Sequence, residues 1–152
     1  MAQASYPVLA TLQLLPLMAI GLLTLLRGKR LLYPVAIGLS LLEFLLACKL
    51  YRLFDAANLS LQLAERLPLL PFLDYYAAVD GMSVLFILLT AVISLLVVLY
   101  AQVWQLANSS AFLAMVFAIQ ATLQGMFATQ DLLSFTLLSA VELVLIAYLL
   151  QR

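Results

Sequence analysis

The chain has 152 residues, of which 67% are hydrophobic and 9% charged, with seven Lys and Arg balanced by seven Asp and Glu and no His. A soluble domain of this length carries about a quarter charged residues, so the composition excludes a water-soluble globule and points to an integral membrane protein. Zero net charge offers nothing to nucleic acid, and the single Cys48 excludes a disulfide framework or a thiolate metal site.

Residues 6–26 are the first apolar segment, long enough to cross ~30 Å of hydrocarbon even with Pro7 near its start and Pro16 inside. The basic cluster follows this segment instead of preceding it, the reverse of a secretory signal, so it reads as a retained helix. Arg27-Gly28-Lys29-Arg30 is a tight turn that the positive-inside rule assigns to the cytoplasmic or stromal side, leaving the N-terminus outside. The second span covers residues 31–50, with Pro34 in its first turn, where a missing N–H costs nothing. Glu43 falls inside it, and Lys49 stands about 240° away around the helix, so Glu43 has no ion-pair partner on its own helix.

Residues 51–80 form the long polar connection, read as an interfacial loop. Within it, residues 58–67 have the spacing of a short amphipathic helix, with Leu59, Leu63 and Leu67 on one side and Pro68 and Pro71 ending it. Interfacial tyrosines Tyr75 and Tyr76 then lead into Asp80-Gly81-Met82-Ser83 and an unbroken apolar run. A carboxylate at this helix start can accept free backbone N–H groups and meet the positive end of the helix dipole. Span three is 81–103, closed by Trp104; span four is 111–129; Gln130 and Asp131 make a turn; span five is 132–150, followed by Arg152. The expectation is an all-α membrane bundle of five transmembrane helices in a single domain over residues 1–152, N-terminus outside and C-terminus inside.

Polarity inside the membrane is the informative signal. Glu43 and Glu142 lie near mid-span, where a carboxyl group is costly enough to imply a role. Each reads either as a proton relay or subunit contact, or as a protonated carboxyl joining helices. Gln120, Gln124 and Asp131 project within about 40° of one another on a helix. That stripe either lines a channel or joins helices by hydrogen bonds. Ser83, Thr90 and Ser94, and Ala114, Ala118, Ala121 and Gly125, form small-residue packing faces. The chain carries no glycine-rich phosphate loop, no metal-ligand spacing and no nucleophile with an activating histidine. No active site, cofactor or metal is expected on it.

Two motifs resemble a known family. Residues 74–83, DYYAAVDGMS, are similar to the tyrosine-rich entry to the third helix of the antiporter-like, proton-pumping subunits of respiratory complex I, nearest the subunit M or chain 4 branch. Residues 126–135, MFATQDLLSF, resemble the start of that family's fifth helix. The resemblance covers the whole chain and agrees with an outside N-terminus. It implies a host complex with quinone and iron–sulfur clusters on other subunits. It also implies a tryptophan–glutamate pair in the fifth helix, the glutamate serving the proton pathway. Here Ser139 and Ala140 stand at those positions and Leu145 at the proline that follows; Glu142 comes two residues later, about 200° around the helix.

Family members also continue for some nine or more helices, so the expected function is an accessory membrane subunit. It would sit in a complex I-like NAD(P)H- or ferredoxin-quinone oxidoreductase arm, or a related hydrogenase or antiporter arm, without pumping by itself. Its partners would be other membrane subunits and lipid, in a bacterial inner or thylakoid membrane. The alternatives are one piece of a split proton or cation translocator and a small homo-oligomeric channel.

Overall fold

The computed structural model describes residues 7–55, 57, 60–70, 73–104 and 109–151, with backbone alone over 66–70 and 73–75. Tyr6, Asn58, Leu59, Pro71, the turn at 105–108 and Arg152 therefore lie outside the described residues. Five helices follow the apolar runs: α1 Val8–Leu25, α2 Leu32–Leu53, α3 Gly81–Trp104, α4 Ser109–Ala128 and α5 Leu132–Leu150. Each has at least 18 residues and the length and apolarity to cross a membrane. At 1.5 Å per residue the shortest is about 27 Å long. With no water in the hydrocarbon layer, intrahelical bonding is what satisfies these backbones. Pro16 in α1 is accommodated without a break.

Helix α4 is the centre of the bundle, packing against α1, α3 and α5, while α2 packs on α1 and α3. The apolar core divides into two clusters at the two ends. One joins Leu9 and Leu12 to Leu50, Val84 and Ile87. The other joins Leu23 and Ala36 to Val98, Leu113 and Phe117. Small residues set the close approaches: Ala36, Ala91 and Ala101 are fully buried. A methyl group on Gly125 would come 2.9 Å from Leu138 Cδ1, so the bare glycine lets α5 lie against α4. Helix α5 stands apart, burying only Ser134 and Glu142.

The connection between α2 and α3 corrects one expectation. In place of an amphipathic helix over 58–67, strands β1 Gln62–Leu70 and β2 Leu73–Val79 pair as an antiparallel hairpin. Gln62 stands opposite Val79 and Glu65 opposite Ala77, so three residues of β1 span what two cover on β2. Leu63, at φ 55°, is the extra residue of this bulge. A bulge re-aims the side chains beyond it, and here Glu65 reaches the start of α1. The hairpin wins over the helix because the 73–79 segment supplies its backbone partners, a non-local gain that leucine spacing does not report. The all-α class holds for the membrane-spanning part, with this hairpin outside it.

The hairpin also ties down the turn between α4 and α5 at the same end of the bundle. Gln130 donates from its backbone N to Tyr76 O at 3.0 Å and from Nε2 to Ala78 O at 3.1 Å. Ala77, Ala78 and Val79 are buried beneath.

Candidate functional site

Helix α2 presents Glu43 to α4 at mid-span, fully buried. Gln120 and Gln124 lie one turn apart on the facing side of α4 and are equally enclosed. Their side-chain amides donate to Glu43 Oε2, Gln120 Nε2 at 3.5 Å and Gln124 Nε2 at 3.3 Å. The other oxygens, Glu43 Oε1, Gln120 Oε1 and Gln124 Oε1, are buried with no hydrogen-bond partner among the described residues. The cluster is thus short of donors. As a carboxylate, Glu43 accepts from both amides; as an acid, its O–H can donate to an amide oxygen once that amide turns over. Either form of the Glu43 carboxyl can therefore find hydrogen-bond partners within the cluster.

A second polar contact lies on the opposite side of α4. The Thr122 hydroxyl is bonded to Glu142 Oε2 of α5. It also lies 2.9 Å from the Ile119 carbonyl, and its one hydrogen serves one of these acceptors at a time. Thr122 is about 200° around the helix from both Gln120 and Gln124. Helix α4 therefore separates the two carboxyl groups at one level of the membrane. Beside Thr122, a cavity of about 480 Å³ runs between α1, α4 and α5, walled by residues such as Leu14, Leu17, Leu138 and Val141. Thr122 and its pairing with Glu142 carried no local sequence signal.

Asp131 does not extend the Gln120–Gln124 stripe. Helix α4 ends at Ala128, and Asp131 caps α5, accepting from Ser134 N at 3.1 Å and Ser134 Oγ at 2.9 Å. Asp80 plays the equivalent part for α3, accepting from Ser83 N at 2.7 Å, with Gly81 the first helical residue. The Ser83 backbone N–H, then its hydroxyl, hold the Asp80 carboxyl below its ordinary 3.8. The Ser134 hydroxyl, then its backbone N–H, do the same for Asp131. Both folded values lie below the unfolded one, so the caps stabilise fully above about pH 4 and lose that contribution as pH falls through the folded values. Thermal scans in detergent should show wild type losing stability below about pH 4 more steeply than an Asp80→Asn, Asp131→Asn double variant. Parallel pH profiles would contradict the caps.

Sequence reading also missed Glu65. Its carboxylate accepts from Leu9 N at 3.0 Å and Ala10 N at 2.8 Å, closing the N-terminus of α1 from 55 and 56 residues away.

These features define a multi-pass integral membrane bundle with carboxyl groups buried at mid-span. The chain is 37% identical over 146 residues to NAD(P)H-quinone oxidoreductase chain 4 2 of Thermosynechococcus vestitus, covering 91% of this chain and 27% of the relative. It is 33% identical over 150 residues to the corresponding protein of Microcystis aeruginosa, covering 95% and 27%. Against the chloroplastic chain 4 of Staurastrum punctulatum the identity is 32% over 146 residues, covering 92% and 28%. The chain thus spans little more than a quarter of the length of these relatives, and is homologous to that part of chain 4. No family model matches it. Among solved structures, a chain of the archaeal membrane-bound sulfane sulfur reductase, a respiratory membrane complex, superimposes with a TM-score of 0.71 at 20% identity, covering 92% of this chain and 29% of that one. That likeness is one of fold. The resemblance read from residues 74–83 and 126–135 is met by the chain 4 relatives.

Proposed function

We propose that the chain is a structural membrane subunit of a complex I-like quinone oxidoreductase arm, or of a related hydrogenase or antiporter arm, and does not pump by itself. Similarity to chain 4 across more than nine-tenths of the chain supports the host assignment. The observation that carries the non-pumping role is Ala140. It stands where the resembled family has its helix-five glutamate, and it is exposed on α5 while Glu142 turns inward to Thr122. Quinone and iron–sulfur clusters would belong to neighbouring subunits, in a bacterial inner or thylakoid membrane. Within this chain, Glu43 with Gln120 and Gln124 is the candidate proton-handling group, and Glu142 the other.

Glu43→Gln and Glu142→Gln tests the role in membrane vesicles, by following proton uptake coupled to quinone reduction. Each variant should assemble. Under the structural reading both leave the proton-to-electron ratio unchanged, within about twofold in rate. A fall of a hundredfold or more in coupled uptake, with assembly intact, would overturn the structural reading and make that carboxyl part of a pathway.

A second reading has one observation in its favour. Helix α5 leaves nearly all its large apolar side chains exposed, among them Leu132 at 79% and Leu143 at 69%, as a helix awaiting further helices would. Under it the chain is one piece of a split translocator, and the glutamate variants are the ones that fail.

A further inference from the structure

We propose that the inner end of the bundle holds a binding site for the phosphate of an anionic lipid headgroup. A cleft of about 570 Å³ opens there between the α1–α2 turn and the start of α4, lined by Arg27, Lys29, Arg30, Tyr33, Ser109 and Ser110. Gly28, at φ 75°, adopts the left-handed conformation that folds this turn back on itself and brings three cations into four residues.

Among the described residues no carboxylate pairs with them. The first acid in the sequence is Glu43, buried at mid-span, and none occurs between Asp80 and Asp131, so neither inner turn joining two helices carries a carboxylate. Clustered cations are enough to orient a membrane protein, but orientation requires no cleft and no buried donor. Here both are present.

The cleft also presents backbone charge. Helices α2 and α4 both begin at it, turning the positive ends of their dipoles toward it. Independently, the Tyr33 hydroxyl is buried and has no hydrogen-bond partner among the described residues. A phosphate oxygen would accept from that phenol and from the guanidinium forks of Arg27 and Arg30.

A lipid, not free phosphate, fits the position. The cleft sits at the ends of the spans, at headgroup depth, with Leu25 and Leu31 exposed by 76% and 60% beside it to meet acyl chains.

The test is native mass spectrometry of the full chain, delipidated in a neutral detergent and titrated with phosphatidylglycerol, phosphatidylcholine or inorganic phosphate. Wild type should retain one phosphatidylglycerol at about tenfold lower concentration than phosphatidylcholine. Arg27→Gln, Lys29→Gln, Arg30→Gln together should abolish the preference. Tyr33→Phe, which leaves charge and therefore insertion untouched, should weaken phosphatidylglycerol retention severalfold. Equal retention of the two lipids, or a preference that survives both variants, would overturn the site. Displacement of phosphatidylglycerol by millimolar inorganic phosphate would overturn the lipid assignment in favour of a free anion.

Discussion

Glu43→Ala is expected to lower the unfolding free energy of the bundle by about 2–4 kcal/mol, the largest single loss in the account. Two effects add. The change strands the Gln120 and Gln124 amide donors, which now point at Glu43 Oε2, inside a fully buried contact. It also leaves a void between α2 and α4 at mid-membrane. Hydrogen bonds between membrane helices average only about 0.6 kcal/mol, so the damage comes from stranding partners, not from losing the bonds themselves. The consequence is non-additivity. Glu43→Leu, Gln120→Leu and Gln124→Leu together should recover to within about 1 kcal/mol of wild type, because the stranded groups go with the carboxyl. Reversible unfolding in mixed micelles measures this; a triple variant worse than Glu43→Ala would refute the cluster.

Glu65→Ala should be next in size, costing about 1–2.5 kcal/mol. The carboxylate accepts from both Leu9 N and Ala10 N, two first-turn groups of α1 that have no intrahelical partner. Pro7, ahead of that turn, supplies no side-chain cap. Because Glu65 sits on the hairpin, its loss detaches the hairpin from α1 as well as fraying the helix. Glu65→Gln keeps one acceptor oxygen and should recover about half of the loss. Hydrogen exchange locates the effect: the Leu9 and Ala10 amides should exchange faster in Glu65→Ala while α3 is unchanged. Unaltered protection at those two amides would contradict the cap.

These two groups differ in how far the sequence exposes them. Glu43, Gln120 and Gln124 are conspicuous as polar residues within apolar runs, because lipid penalises each alone. Their pairing is not visible, since it joins residues 77 and 81 positions apart, on helices that the packing of α1 and α3 holds facing each other. Glu65 gives no signal at all, being an ordinary acid in a polar loop until the hairpin places it.

The hairpin is hidden for a related reason. Leucines four apart suit a helix, whereas pairing of Gln62–Leu70 with Leu73–Val79 is a contest between segments that spacing within one segment cannot decide. The helices were legible because a run of apolar residues leaves the backbone one way to satisfy itself in lipid. The misplaced Asp131 shows the limit of that reasoning. A helical projection carried past Ala128 puts Asp131 in line with Gln120, but the chain has by then turned toward α5.

The measurement that tests the central claim most directly is gentle solubilisation of the tagged chain from its native membrane, followed by native electrophoresis and mass spectrometry of what travels with it. The account predicts one large assembly containing quinone-oxidoreductase, hydrogenase or antiporter membrane subunits in fixed stoichiometry with this chain. Recovery as a small homo-oligomer free of such subunits would contradict it.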